Sequence, residues 1–315
     1  MSRYAAPAVA GVSLCAALLG LTGCATPQVE ELLARPPAAL PASVELASVP
    51  FFPQEEYQCG PAALAMALTH AGSATSPEAL VPQVYVPGRE GSLQVEMLAA
   101  TRRHGLLAYR LAPRLEDVLR EVSAGTPVIV LQNLALDLAP LWHYAVVIGY
   151  DLPREEITLR SGTTRRAVMT LGSFERTWMR GDRWAMLALA PERLPATVRE
   201  HEYVVAAAAL ERVAPGAARR AYTTAVERWP GNLAAWIGQG NTAYTLRDLP
   251  GAEAAYREAI RRHPRAADAW NNLAQTLLEL RQREEALVAA QRAVEIGGPR
   301  LAQYQATLKT IVESR

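Results

Sequence analysis

The C-terminal third of the chain repeats itself with a period of 34 residues. The same residue types recur at this interval in several places: Trp236 and Trp270, Tyr222 and Tyr256, Pro230 and Pro264, and Ala252 and Ala286. A period of this length indicates stacked helical units, because each unit buries its apolar face only against its neighbours. We therefore expect an elongated all-α stack in this part of the chain.

The arrangement of the recurring residues within the period, with Trp early, Ala in the second helix and Pro at its close, resembles the tetratricopeptide repeat. Three units are expected, at 199–232, 233–266 and 267–300, followed by a capping helix to Arg315. The first unit has Glu202 in place of the tryptophan and is the weakest. An unrelated helical bundle is the alternative. The resemblance implies a concave groove that binds an extended peptide or a helix of a protein partner.

The N-terminus has the pattern of a signal peptide. One charged residue, Arg3, precedes an apolar or small stretch over 5–21, which is shorter than a bilayer-spanning helix. The stretch ends in Leu-Thr-Gly-Cys at 21–24, which resembles the bacterial lipobox. That resemblance implies a signal peptide over 1–23 and a lipid on Cys24; a plain secretory signal cut near Gly23 or Ala25 is the alternative.

Ala25 stands where an aspartate would favour retention in the inner membrane. We therefore expect an outer-membrane lipoprotein that faces the periplasm, and a lipid anchor as its only attachment to the membrane. The three cysteines are then accounted for, since Cys15 leaves with the signal peptide and Cys24 carries the lipid. Cys59 remains as a lone thiol in an oxidising compartment, either a small buried hydrophobe or a reactive group.

Between the signal peptide and the repeats, the sequence predicts two segments. Residues 24–48 are rich in Pro and Ala and are expected to be a tether. Residues 49–195 mix helical and strand patterns, which predicts an α+β domain with an antiparallel sheet. The expected helices are Pro61–Ala71, Leu93–His104 and Leu115–Ala124, and the expected strands are Pro127–Leu131, Tyr144–Tyr150, Ile157–Arg160 and Trp184–Leu189.

Two side chains in this domain have settings suited to nucleophilic catalysis. Pro61 favours the first turn of a helix, so Cys59 lies at a helix N-terminus, where the helix dipole favours the thiolate. His143 lies at the start of a strongly apolar strand, where its ring can project from the end of the sheet. A structural cysteine and a structural histidine are the alternatives.

Together, the segments Pro53–Leu64 and Leu141–Asp151 resemble the papain-like cysteine peptidases that process bacteriocin leader peptides, also called double-glycine leader peptidases. The resemblance covers roughly Val49 to Pro191. It implies a papain-like fold, Cys59 as the nucleophile and His143 as the general base in a thiolate–imidazolium pair. It also implies Gln54 as the oxyanion donor, although the family places this glutamine six residues before the cysteine and Gln54 is five before it; Gln58 is the alternative.

The third catalytic residue departs from the family pattern. The family has an aspartate on the strand after the histidine, but the residues expected to face His143 across the hairpin, 161–163, include no carboxylate. Asp151 lies at the far end of the histidine strand, roughly 25 Å away at 3.3 Å per residue. Ser161 is therefore the candidate partner of the imidazole, and Asn133 is the alternative. If Ser161 has no catalytic function, its hydroxyl is an ordinary polar group at the end of a strand.

Several classes of function are disfavoured. A net charge of +1 gives no general attraction for nucleic acid. No phosphate-binding loop suggests ATP, and no Cys/His spacing suggests zinc, so no cofactor or metal is expected. Two hypotheses follow: a membrane-anchored cysteine peptidase that acts on a peptide or protein substrate, or a catalytically weak or inactive papain-like domain that serves as a tethered interaction scaffold. A third possibility keeps the same nucleophile but passes the acyl group to an amine, as an amidase or transferase does.

Overall fold

The computed structural model describes residues 25–54 and 58–314. Its helices are α1 (Pro27–Ala34), α2 (Cys59–His70), α3 (Pro77–Val84), α4 (Gln94–Arg103), α5 (Leu115–Ser123), α6 (Leu171–Met179), α7 (Glu200–Ala208), α8 (Pro215–Arg228), α9 (Leu233–Thr245), α10 (Leu249–Arg262), α11 (Ala267–Glu279), α12 (Arg283–Ile296) and α13 (Leu301–Glu313). Its strands are β1 (Ser43–Glu45), β2 (Tyr85–Val86), β3 (Gly91–Ser92), β4 (Leu107–Arg110), β5 (Val128–Asn133), β6 (Trp142–Asp151), β7 (Glu156–Ser161), β8 (Thr164–Thr170) and β9 (Ala185–Leu189).

The N-terminal domain is built on an antiparallel sheet of seven strands. Its order is β4-β9-β5-β6-β7-β8, and β1 pairs with the end of β6. The β2–β3 hairpin forms a separate two-stranded sheet. Strand β5 is buried along its whole length, which explains why its first four residues, 128–131, are a continuous apolar run rather than an alternating one. The predicted α+β domain with an antiparallel sheet is confirmed.

Helices cover both faces of this sheet. Because side chains alternate along a strand, Ile129 and Leu131 of β5 point to one face, where they join the apolar cluster of α2, α3 and α4. Val128 and Val130 point to the other face, where they join a cluster with α1, α5, α6 and the first repeat helices. The domain therefore has three layers, with the sheet between two helical layers.

The predicted tether at 24–48 is wrong over most of its length, because α1 packs on the domain. Val29 and Leu32 of α1 are buried in the core. The buried carboxylate of Glu175 in α6 accepts the backbone N–H groups of Gln28 and Val29, at 3.1 and 2.9 Å. A carboxylate at the first turn satisfies N–H groups that the helix itself leaves free.

The part of this segment that follows α1 also belongs to the folded domain rather than to a tether. Strand β1 pairs antiparallel with β6, and Val44 lies opposite Tyr150. Gly149 makes the pairing possible, since a Cβ at this position would lie 2.6 Å from the carbonyl oxygen of Val44. The signal peptide and Cys24 lie outside the described residues.

The repeat region consists of antiparallel helix pairs. The pairs α7–α8, α9–α10 and α11–α12 lie within the predicted units 199–232, 233–266 and 267–300, and α13 caps the last pair. Gly238 and Gly240 of α9 lie directly against the rings of Tyr222 and Tyr256. A Cβ at Gly240 would come within 2.4 Å of the Tyr256 ring, so this close helix contact requires glycine. The predicted all-α stack is confirmed.

The repeats pack directly on the sheet domain. The buried carboxylate of Glu121 in α5 accepts hydrogen bonds from the backbone N–H groups of Ala196 and Thr197 and from the Thr197 hydroxyl. The backbone N–H of Arg199 donates to the hydroxyl of Tyr109 in β4. One apolar cluster continues from the sheet into α7 and α8. The junction is therefore a packed interface rather than a flexible linker.

Candidate active site

A cleft of about 880 Å³ opens at the end of the sheet where β6 begins. One wall is formed by the β2–β3 hairpin and the N-terminus of α2, and the other by the β5–β6 loop and the start of β6. The candidate catalytic side chains Gln54, Cys59 and His143 all line this cleft. Ser92, Tyr144 and Gly162 lie beside them.

Cys59 is the first residue of α2, as its sequence setting predicts, and Pro61 lies in the first turn. The effect on its acidity differs from the expectation. Burial raises the pKa of the Cys59 thiol, and hydrogen bonds with the backbone of Tyr144 and Gly60 act in the opposite direction without offsetting it. The helix N-terminus lowers the thiol pKa as expected, through hydrogen bonds with the backbone of Cys59 and Gly60, but desolvation outweighs this contribution.

His143 is the second residue of β6, and its ring lies at the floor of the cleft. Its Nε2 atom lies 2.8 Å from the Oγ of Ser161, which ends β7. Burial lowers the pKa of His143, because the imidazolium form is desolvated there. The resting site therefore favours a neutral imidazole beside a neutral thiol. Among the described residues, the His143 ring makes this hydrogen bond to Ser161 and none to Cys59.

Ser161 reaches His143 through the hairpin geometry. Strands β6 and β7 are antiparallel, with Val146 opposite Arg160, so the next positions of β7 lie opposite the start of β6. The chain then turns at Gly162, whose φ of +57° suits glycine, and continues into β8. The sequence prediction that 161–163 face His143 agrees with this register.

Asn133, the alternative third residue, is not brought to the imidazole. It ends β5 opposite Trp142, whereas Gln132 lies opposite His143. The Oδ1 atom of Asn133 accepts the backbone N–H groups of Ala135 and Leu141, at 3.1 and 2.9 Å. Its Oδ1 atom therefore holds the β5–β6 loop.

Gln54 is buried beside the start of β6 and is fixed by three hydrogen bonds. Its Nε2 donates to the carbonyl oxygen of Tyr144 at 3.3 Å, and its Oε1 accepts the backbone N–H of Gly162 at 3.0 Å. Its own backbone N–H donates to the carbonyl of Gly162. A primary amide has two N–H donors, so the second remains for a ligand in the cleft. Gln58 is the N-cap residue of α2 and makes no side-chain capping bond.

Two residues near the site were not singled out from the sequence. Tyr144 packs edge-on against Trp184, and its hydroxyl donates to the carbonyl of Ser92 at 3.2 Å, which ties β6 to the β2–β3 hairpin. Gln132, opposite His143, donates from Nε2 to the hydroxyl of Thr177 in α6 at 2.6 Å. These contacts join segments far apart in the chain, so no local pattern signals them.

Two absences concern residues 25–54 and 58–314, which the structure describes. No group of three or more His, Cys, Asp or Glu side chains is arranged to hold a metal ion among them. Within the same residues, no helix is both long and apolar enough to cross a membrane.

Comparison with protein-family models finds two matches. Residues 46–180 match the Peptidase_C39 like family, and residues 206–260 and 237–302 match the tetratricopeptide repeat. A comparison with curated protein sequences finds no match. The chain therefore carries a C39-like peptidase domain followed by tetratricopeptide repeats. The first match is to the C39-like family as a whole rather than to its leader-processing members.

Solved structures similar to each part are known. A protein described as a C39-like peptidase from Bacillus anthracis is 20% identical, with 47% of this chain and 97% of that chain covered and a TM-score of 0.40. The TPR2B domain of yeast Sti1, in a complex with pHsp70, is 17% identical, with 37% and 98% covered and a TM-score of 0.35. The first TPR domain of Spaghetti (RPAP3), bound to an HSP90 peptide, is 18% identical, with 37% and 94% covered and a TM-score of 0.34.

Proposed function

We propose that the chain is a lipid-anchored cysteine peptidase of the bacterial cell envelope, with Cys59 as the nucleophile and His143 as the general base. The observation that carries the proposal is the cleft, which gathers a helix-terminal cysteine, a histidine held by a hydroxyl and a fixed glutamine amide. These three groups suit acyl transfer through a thioester. The match to the C39-like family supports the same reaction class.

In the proposed mechanism, Ser161 Oγ accepts the Nε2–H of His143 and leaves the lone pair of Nδ1 free. The Nδ1 atom takes the thiol proton as the Cys59 sulfur attacks the carbonyl carbon of the scissile bond. The carbonyl oxygen becomes an oxyanion, which the second N–H of Gln54 stabilises. Breakdown of this intermediate expels the amine, which takes the proton back from His143, and a thioester remains on Cys59.

Water then completes the hydrolysis. His143 accepts a proton from the water molecule that attacks the thioester carbonyl, and the same proton returns to the Cys59 sulfur as the carboxylic acid product leaves. Since the raised pKa of the thiol and the lowered pKa of the imidazole both favour the neutral pair, the base is needed in the acylation step itself. A neutral serine stabilises the imidazolium less than a carboxylate does, so the proposed enzyme is slower than one with an aspartate.

The repeats are proposed to bind a protein substrate or partner away from the cleft. Strand β9 begins at Ala185, shortly after the cleft-lining residues Gly181 and Asp182, and runs to Leu189 at the other end of the sheet, about 13 Å further at 3.3 Å per residue. The chain enters α7 from that distant end. The segment of a ligand that binds the repeats is therefore distinct from the peptide segment that binds in the cleft.

The lipid anchor on Cys24 is a proposal from the sequence alone. If Cys24 carries the lipid, only residues 25–26 separate it from α1, which packs on the domain. The domain would then be held directly against the membrane surface. Fractionation of the cell envelope tests this: the wild type is expected with the outer membrane and Cys24→Ser in the soluble fraction, and equal distribution of the two would contradict the anchor.

A second candidate is a scaffold whose papain-like domain no longer cuts. It is favoured by the serine at the usual carboxylate position and by the pKa shifts of Cys59 and His143 toward the neutral pair. Hydrolysis of an unfolded protein, such as labelled casein, separates the two. The peptidase predicts cleavage by the wild type that disappears in Cys59→Ala. Equal release of fragments by both would favour the scaffold and assign any cleavage to a contaminant.

A further inference from the structure

The loop between β5 and β6 presents an exposed apolar surface next to the cleft. We name this surface the apolar rim, and its residues are Leu134, Leu136, Leu138, Leu141 and Trp142. Leu138 is 97% exposed, and Leu141 and Trp142 are 60% and 52% exposed. Exposed apolar patches that are concentrated in one place mark surfaces that bind something.

The loop that carries the rim has a defined backbone. Asn133 Oδ1 accepts two of its N–H groups, and the N–H of Leu134 donates to the carbonyl of Leu141 at 2.9 Å. The Arg180 guanidinium donates twice to the carbonyl of Asn133. These bonds hold the leucines out in solvent rather than letting them fold inward. A surface held in place in this way loses little entropy when a ligand covers it.

The apolar rim continues into the cleft, so the ligand that covers the rim is a peptide that occupies the cleft. Leu141 and Trp142 line the cleft together with Cys59, and Leu93 contributes an apolar side chain from the opposite wall. A peptide that places its scissile bond at Cys59 therefore covers Leu141 and Trp142. Asp137 is the only charged residue over 134–142, so the loop offers no basic group for an anionic lipid surface.

We propose that the cleft selects peptides with large apolar side chains beside the scissile bond. This inference rests on the proposed peptidase function and adds its substrate class. Leu141 and Trp142 contact the substrate residue nearest the bond. Leu136 and Leu138, further out on the same loop, contact residues further along an extended chain, which advances about 3.3 Å per residue.

The experiment compares kcat/KM for matched peptides on the full chain. A peptide of about ten residues with leucines flanking the scissile bond is paired with one that has glutamines there, and both are shortened to about four residues. The wild type is expected to prefer the leucine peptides on the order of tenfold or more. Leu141→Ser removes this preference for both lengths, whereas Leu138→Ser reduces it only for the long peptide.

Val168→Ser is the matched control, because Val168 is an apolar residue of β8 with 39% exposure that lies outside both the cleft lining and the repeats. This variant is expected to leave kcat/KM for the leucine and the glutamine peptides unchanged. Equal rates of the wild type on leucine and glutamine peptides would overturn the inference, as would a preference that survives Leu141→Ser.

Peptide binding to the Cys59→Ala variant tests the apolar specificity independently of the proposed reaction, because this variant lacks the nucleophile. Fluorescence anisotropy with the labelled long peptides should show tighter binding of the leucine peptide, lost in the double variant with Leu141→Ser. If no peptide is cut but this binding pattern holds, the peptidase proposal fails and the apolar specificity stands. The apolar specificity is overturned if Cys59→Ala binds neither peptide. It is also overturned if Leu138→Ser abolishes flotation with lipid vesicles and leaves peptide binding intact.

Discussion

The Nε2 atom of His143 lies 2.8 Å from the Oγ of Ser161 across the β6–β7 hairpin. This contact takes the place that a carboxylate–imidazole pair has in the leader-processing peptidases that the sequence resembles. The serine fixes the orientation of the ring but brings no charge. Among the residues that the structure describes, burial is the cause that lowers the His143 pKa.

Ser161→Asp is predicted to raise the pKa of His143. A carboxylate beside the ring favours the imidazolium, and the shift is expected to be about one pKa unit or more. An NMR titration of the His143 ring measures it, with Ser161→Ala as the uncharged reference. Thr163→Asp, in the exposed turn after Ser161, is the control for a carboxylate that is nearby but not bonded. An equal shift in both aspartate variants would contradict a direct contact.

Alkylation of Cys59 is predicted to follow a raised thiol pKa. Burial keeps the resting sulfur protonated, so the iodoacetamide rate should rise about tenfold per pH unit through neutral pH and continue to rise above pH 8.5, where an ordinary thiol begins to level off. Mass spectrometry of the Cys59 peptide measures the rate. A fast rate that is already constant near pH 5–6 would show a resting thiolate–imidazolium pair instead.

Gln54→Ala is predicted to lower kcat by about a hundredfold or more, the usual cost of losing one oxyanion donor. The side chain also holds Gly162 and Tyr144, so the thermal unfolding of the variant must be measured alongside its kinetics. Gln58→Ala is the control, because Gln58 makes no capping bond, and its kcat should change less than twofold or so. A larger loss in Gln58→Ala than in Gln54→Ala would assign the oxyanion role to Gln58.

Leu32→Ala is predicted to lower the free energy of unfolding by about 2–5 kcal/mol, the range for a buried leucine. Leu32 is only 5% exposed and packs in the same cluster as the sheet. Glu31→Ala, at the exposed neighbouring position, is the control and should change it by less than about 0.5 kcal/mol. Denaturant unfolding measures both. If the two variants are equally stable, α1 is not part of the folded core.

The hairpin around His143 could be predicted because its geometry is local. An apolar strand, a turn and a returning strand bring Ser161 close to the start of β6, and the β-bulge between Val147 and Gly149 shifts this register only slightly. The repeats could be predicted for the same reason, since each unit carries its own pattern. Local rules also gave the positions of the expected helices and strands of the sheet domain to within a few residues, but they gave no sign of α3, β4, β8 and α6.

The docking of α1 could not be predicted in this way. Its segment has the Pro and Ala content of a linker, and its two buried residues are too few to form a pattern. The partner that fixes its first turn, Glu175, is 146 residues from Val29 along the chain. The raised thiol pKa was missed for a similar reason. The helix N-terminus is visible in the sequence, whereas the walls that bury Cys59 come from distant segments.

The most direct test of Cys59 and His143 as a catalytic pair is to trap the acyl-enzyme. The full chain is mixed with a peptide nitrophenyl ester, quenched in acid and analysed by mass spectrometry. The predicted result is one acyl group on Cys59, formed about a hundredfold more slowly in His143→Ala, because the neutral thiol needs its base. Acylation of another residue, or an equal rate in His143→Ala, would contradict the account.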